Sequence, residues 1–235
     1  MGKKRFTSKT YLKVLIVVGV LALIGGGAGT FATFNATTTN AGNTFATGTM
    51  VLSNTIGATT CLSTGGGNTN SNTNSTGCAK FFNTSISKPG DIAGANLTLQ
   101  NVGSIAATVA SLTKSACNTV DNPSETYHGT GDLCVGLNFY VQEWSDAFTT
   151  PSKCWYGGGT ATTCDATFAT SPQPLSGFTT QDISTAPNSA SAFAPKNSTG
   201  DTRWFTVAVQ LPSSAGNSYQ GRQAQVDLSW TESQS

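Results

Sequence analysis

Charge is scarce in this chain. Asp, Glu, Lys and Arg make up 10% of its 235 residues, beside 26 glycines and a single histidine. Five of the twelve basic residues, Lys3, Lys4, Arg5, Lys9 and Lys13, sit at the N-terminus, and no basic run follows. The chain therefore lacks the electrostatic footprint of a nucleic-acid binder, and no nucleic-acid partner is expected. It has no His-Glu-x-x-His, no Cys-x-x-Cys and no Gly-x-Ser-x-Gly. These absences remove the zinc-protease helix, the close thiolate pairs of a zinc site and the hydrolase nucleophile elbow. Helical periodicity is missing after residue 24, so no helices are expected to cover a parallel sheet. What replaces charge is Thr, Ser, Asn and Gly. Such a surface is neutral and hydrogen-bonding, and it lacks the charges that keep sheet edges apart.

What is present begins with an export signal. The basic head leads into an apolar run, Val14 to Ile24, which is too short to span a membrane but fits a signal peptide. The helical run breaks at Gly25-Gly26-Gly27. Thr30 and Ala32 then place small residues at −3 and −1 of a cut between Ala32 and Thr33. Residues 1–32 are read as the signal peptide, and only the uncleaved precursor is expected to touch the membrane. The mature chain keeps seven Lys and Arg against eleven Asp and Glu, a net charge of −4.

The six cysteines, Cys61, Cys78, Cys117, Cys134, Cys154 and Cys164, form an even set behind an export signal, which reads as disulfides. Neighbour pairing, 61–78, 117–134 and 154–164, encloses a turn-rich segment each time, although sequence alone leaves other pairings open.

Period-2 segments bounded by Gly, Pro, Asn and Ser predict strands. They are expected at Phe45–Ser53, Asn96–Asn101 (Leu97 and Leu99 inward) and Ile105–Leu112. Others are expected at Leu133–Val141 (Leu133, Val135, Leu137, Phe139 and Val141 inward) and Arg203–Leu211. Gln223–Thr231 alternates most cleanly, with Ala224, Val226, Leu228 and Trp230 on one face. The fold expected is all-β: an antiparallel, jelly-roll-like β-sandwich. One domain should cover 45–235, with long loops at 63–77 and 142–200, the second elaborated with short strands. An N-terminal extended segment, 33–44, precedes it.

Candidate chemistry is thin. His128 is read as a solvated loop residue. Glu125, Asp132, Glu143 and Asp146 are candidates for a carboxylate pair. Asp121, Asp132, Asp146, Asp165 and Asp201 leave a loop calcium site open but unassigned. No other cofactor is expected. Trp144, Trp155, Tyr156, Trp204 and Trp230 are candidates for a sugar-stacking platform, with packing the alternative use. Asn-x-Ser/Thr sequons stand at Asn35, Asn74, Asn83, Asn96 and Asn197.

Three stretches resemble the TasA/camelysin family of matrix-fibre proteins. The first is Gly29-Thr30-Phe31-Ala32 followed by Phe34-Asn35 and Asn43-Thr44-Phe45-Ala46-Thr47-Gly48-Thr49-Met50-Val51-Leu52. The second is Lys88-Pro89-Gly90-Asp91 with Leu97-Thr98-Leu99-Gln100-Asn101-Val102-Gly103. The third is Leu211-Pro212, Ala215-Gly216-Asn217, Tyr219-Gln220-Gly221 and the strand through Trp230. Ala36 departs from the acidic residue often found there in the family. The six cysteines and the stretch 113–200 exceed a minimal member. The resemblance implies a secreted biofilm-matrix fibre protein whose partner is itself in a head-to-tail homopolymer; with one histidine and no recognised nucleophile or zinc motif, no enzymatic activity is expected. Other matrix or cell-wall components are further expected partners. An N-terminal strand would complete the next subunit's sheet, making Thr33, Phe34, Asn35, Ala36, Thr37 and Thr38 the leading donor-strand residues. The rival readings are a cell-surface carbohydrate-binding module and a camelysin-like metalloprotease.

Overall fold

The computed structural model describes residues 48–64, 79, 81, 88–160, 163–165, 168, 170–186 and 191–234. The expected signal peptide, its cut between Ala32 and Thr33, the segment Thr33–Thr44, Cys78 and most of the 63–77 loop lie outside the described residues. What is described is an all-β, antiparallel, sandwich-like fold.

The larger sheet is built around β3 (Ile92–Asn101) and β12 (Thr202–Gln210), which pair along nine residues from Thr202↔Gln100 to Gln210↔Ile92. On one side, β1 (Leu52–Ile56) joins β3 and turns through Gly57 into β2 (Thr59–Leu62). On the other, β6 (Asn138–Trp144) joins β12, and both β7 (Pro151–Tyr156) and β10 (Gln173–Pro174) pair with the far edge of β6. Pro89-Gly90-Asp91 starts β3: Gly90 adopts φ +93°, and the Asp91 carboxylate accepts the Lys88 N–H at 3.2 Å. Asn101 ends it. Its buried side chain accepts from Gly103 N–H at 2.9 Å and donates to Ile105 O at 2.7 Å. Both turns of the second family-like stretch are therefore strand punctuation, each with a local physical reason.

The smaller sheet has the order β11 (Gln181–Asp182), β4 (Val109–Lys114), β14 (Leu228–Ser233). β4 continues through Ser115–Cys117 into β5 (Asn118–Asp121), which pairs with β13 (Arg222–Gln225). Between Gln225↔Asn118 and Leu228↔Lys114 one strand advances three positions and its partner four. The expected strand Gln223–Thr231 is thus two strands, although its facing alternation runs through unbroken. A pair joins β8 (Gly159–Thr160) to β9 (Thr163–Cys164).

The core lies between the two sheets. Leu97, Leu99, Phe139, Val141, Phe205 and Val207 of the larger sheet face Ala110, Leu112 and Ile183, with Leu228 and Trp230 packed alongside. Phe205 and Trp230 meet with ring centroids 4.8 Å apart. The outer face of β6 and β12 is covered as well. Tyr140 and Ala208 pack under Phe168, and Gln142 donates to Asp165 O at 2.5 Å.

Four local expectations are corrected. Leu133–Val141 is not one strand. Asp132 caps a single helical turn, α1 (Leu133–Gly136), accepting Cys134 N–H at 2.9 Å, and it leaves Val135 58% exposed. The strand expected at Phe45–Ser53 occupies Leu52–Ile56, and residues 48–51 are not part of it. The strand expected from Ile105 starts at Val109, because the Asn101 side chain holds 103–105 in a turn. The loop region expected from 142 begins only after Trp144, where β6 ends, and the short strands expected within it include β7, which pairs with β6 in the larger sheet.

Candidate functional site

The feature that stands out is the edge of the smaller sheet. Ile183 N–H donates to Ala110 O at 2.9 Å and Ala110 N–H to Ser184 Oγ at 3.0 Å, so Ala110 turns its backbone toward β11. Val109, Ser111 and Thr113 therefore turn theirs toward Ser233, Thr231 and Ser229 of β14. By the same alternation Leu228, Trp230 and Glu232 point their N–H and C=O groups to the open side of β14. No strand pairs there among the described residues. One outer strand of the larger sheet, β2, differs: Cys61 and Leu62 take part in further interactions, while β7 and β10 form the opposite edge.

The same three residues point their side chains inward, while Ser229, Thr231 and Ser233 are exposed. Two of the three are polar and unsatisfied. Trp230 Nε1 and both Glu232 carboxylate oxygens are buried without a hydrogen-bond partner. Burial with no compensating partner pushes the Glu232 carboxyl up to about 7. Buried polar groups are nearly always paired in folded proteins, so two orphans on one edge strand call for an explanation.

A second constellation sits deeper. Arg203 on β12 and Glu143 on β6 are almost fully buried and form a two-pronged ion pair, Nε–Oε1 at 2.6 Å and Nη2–Oε2 at 2.7 Å. Trp155 Nε1 donates to Glu143 Oε2 at 2.8 Å, and Arg203 Nη1 donates to Ile183 O at 2.6 Å and Ala192 O at 3.3 Å. The guanidinium lies 5.2 Å from the ring centres of both Phe193 and Phe205. Every charged oxygen and nitrogen of the pair is therefore matched. The pair fastens Ile183, Ala192 and β7 to β6 and β12.

The other candidates have local partners. Asp132 also accepts from Thr119 Oγ1 at 2.7 Å, and the hydrogen bonds from Thr119 and Cys134 hold its carboxyl below the usual range. The Thr149 hydroxyl and the Thr149 and Thr150 amides do the same for Asp146. Asp121 pairs with Arg222, Asp165 accepts from Thr170 N–H, and Asp201 holds Gln100, Asn197 and Thr202. No group of three or more His, Cys, Asp or Glu side chains gathers as a metal site among the described residues. Of the carboxylates weighed for acid–base work, Glu143 is committed to Arg203. Glu125 is exposed, and its backbone N–H bonds to Asn122 O. His128 is half-buried, with Nε2 at 3.0 Å from Asn122 O, not free in solvent as expected. Trp144 donates to Thr206, Trp155 to Glu143, and Trp230 packs on Phe205, so these tryptophans serve the fold.

Cys117–Cys134 and Cys154–Cys164 are bonded as expected. Cys61 is disulfide-bonded too, while its expected partner Cys78 lies outside the described residues. Such bonds form and persist in oxidising compartments. No helix of the described residues is long and apolar enough to cross a membrane. The donor residues Thr33, Phe34, Asn35, Ala36, Thr37 and Thr38 also lie outside the described residues. Sequence reasoning missed the Arg203–Glu143 pair; its signal was a lone arginine and a lone glutamate, each opening or closing an apolar strand in a chain so poor in charge. No protein-family model and no curated protein matches this chain.

Proposed function

We propose that this is a secreted structural protein, similar to the TasA/camelysin family, that builds extracellular fibres or a cell-surface matrix. Its mature chain polymerises head to tail by strand addition, with other matrix or cell-wall components as further partners. The observation that carries this reading is β14, an edge strand left unpaired among the described residues, with orphaned polar groups behind it. Open edges template pairing with another chain unless charge, proline or a bulge blunts them. The exposed side chains of β14 are Ser229, Thr231 and Ser233, none of which does so. A head-to-tail contact of this kind does not close and therefore propagates. The disulfides and the signal-like N-terminus support export.

The test uses the secreted protein. Its N-terminal sequence should begin Thr-Phe-Asn-Ala. Electron microscopy and light scattering should show filaments from the mature chain and monomers from one lacking Thr33–Thr44. A mature chain that stays monomeric under all conditions would sink the fibre reading. Filaments from the shortened chain would sink strand donation by that segment.

A further inference from the structure

Resting on that fibre reading, we infer that the acceptor is the open edge of β14, and that it takes the Thr33–Thr44 segment of a second copy, with Thr38 and Asn40 satisfying Trp230 and Glu232. An incoming strand must pair with the backbone of Leu228, Trp230 and Glu232. It must also bring, on its inward face, an acceptor for an indole N–H and a donor for a carboxyl. These two groups lie two residues apart, so the occupant needs hydrogen-bonding side chains at the same spacing. A cation would serve Glu232 but not Trp230, and would itself be buried beside the apolar stripe. Hydroxyl and amide side chains serve both.

The segment Thr33–Thr44 contains no charged side chain. One face carries Phe34, Ala36, Thr38 and Asn40 in that order. The inward face of the β13–β14 ribbon carries Ala224, Val226, Leu228, Trp230 and Glu232. Both faces run from apolar to polar along the chain. Aligning them in the same direction sets Phe34 against Val226 and Leu228, then Thr38 and Asn40 against Trp230 and Glu232. The added strand is therefore parallel to β14. The β2 edge offers no such match, and Cys61 and Leu62 there are engaged already.

The experiment uses the full mature chain with a photo-crosslinking phenylalanine analogue at Phe34, assembled, irradiated and digested with trypsin. Cleavage after Arg222 releases Gln223–Ser235 as one peptide. The expected product joins residue 34 of one copy to Val226–Leu228 of another. A link to β2, or to Glu232–Ser235 as antiparallel pairing requires, overturns the proposal while leaving the filament reading intact. If filaments form without a crosslink, hydrogen exchange decides. The amides of Leu228, Trp230 and Glu232 should be protected in filaments and exchange freely in monomers. Those of Ser229, Thr231 and Ser233 should be protected in both. Equal exchange of the first set in the two states overturns the assignment. If no filaments form from the unmodified mature chain, the fibre reading itself fails and this inference with it.

Discussion

Replacing Arg203 by methionine tests the central account of what holds the sandwich together. Arg203 and Glu143 are 3% and 1% exposed, and the guanidinium holds both carboxylate oxygens at 2.6 and 2.7 Å. Methionine fills much of the same space but leaves a carboxylate buried with only the Trp155 N–H. Stranding one member of such a pair costs roughly 3–5 kcal/mol. For a domain of this size that is a fall in Tm of about 6–20 °C. The carbonyls of Ile183 and Ala192 lose their donor at the same time. Changing both partners, Arg203→Met with Glu143→Leu, removes the buried charge altogether and should recover the part of the loss that the stranded charge causes. Recovery is incomplete, because Trp155 Nε1 and the two carbonyls stay unpaired, at about 1–3 kcal/mol for each group kept from water. The assay is thermal or urea denaturation of both single variants and the double, read as a double-mutant cycle. Each single change should cost far more than half the double, giving a coupling energy on the order of 3 kcal/mol. An Arg203→Met variant losing less than about 1 kcal/mol, or losses that simply add, would refute the reasoning.

Glu232 makes stability fall with pH. Its carboxyl titrates at about 7 when folded against 4.5 for the free group, so the native state is favoured fully below about pH 4.5 and loses that advantage as pH rises through 7. With partial solvent screening the loss is on the order of 2 kcal/mol; Tm of the monomer measured from pH 4 to 8 should decline, and Glu232→Gln should flatten the curve. Replacing Cys117 and Cys134 by alanine should cost roughly 3 kcal/mol by freeing the unfolded loop between them, and non-reducing peptide maps should show the 117–134 and 154–164 pairs and no crossed ones. Gly221 sits at φ +62° with the Tyr127 carbonyl against it, so Gly221→Ala should cost roughly 1–3 kcal/mol in chemical denaturation, while Gly216→Ala, with open space around it, should cost less.

The strands that sequence made legible are those with one buried face. Leu97 and Leu99 alternate with half-exposed Thr98 and Gln100, and the alternation from Gln223 to Thr231 survives a change of partner strand. Strand β6 was harder because it is covered on both faces: Phe139, Tyr140, Val141, Gln142 and Glu143 are all buried, so no period marks it. The turn at Leu133–Gly136 was misread because its apolar spacing imitates a strand. Only the Asp132 cap and the bond at Cys134 reveal it, and both depend on where Thr119 and Cys117 lie in space. Two-residue strands such as β10 and β11 carry no period at all. The Arg203–Glu143 pair spans 60 residues and needs β6 and β12 to be neighbours, which no local pattern states.

The scarcity of charge, legible at once in the sequence, takes on meaning from where the few carboxylates go. Asp91, Asp132, Asp146, Asp182 and Asp201 are occupied with nearby amides and hydroxyls, and Glu143 with Arg203, leaving Glu232 as the acidic group set inside an edge strand with nothing opposite it. An inward-pointing charge on an edge is one of the devices that discourage indiscriminate strand pairing. On the proposal above it discourages only some pairings. A second β14 laid parallel to the first and in register sets Glu232 against Glu232, and like carboxylates cannot satisfy each other while both are ionised. An apolar strand leaves Glu232 and Trp230 as they were and excludes the remaining water from them, which raises the cost of both. A strand with hydroxyl and amide side chains at the right spacing removes that cost. Specificity here then rests on rejecting a second copy of the same edge laid in parallel, as much as on favouring the right strand. Glu232→Leu is the perturbation that separates these effects. It should leave a folded subunit and weaken the discrimination, so that the chain lacking Thr33–Thr44 begins to associate through β14. If that doubly altered protein stays monomeric by light scattering at the concentrations where the mature chain polymerises, Glu232 is not the guard of this edge.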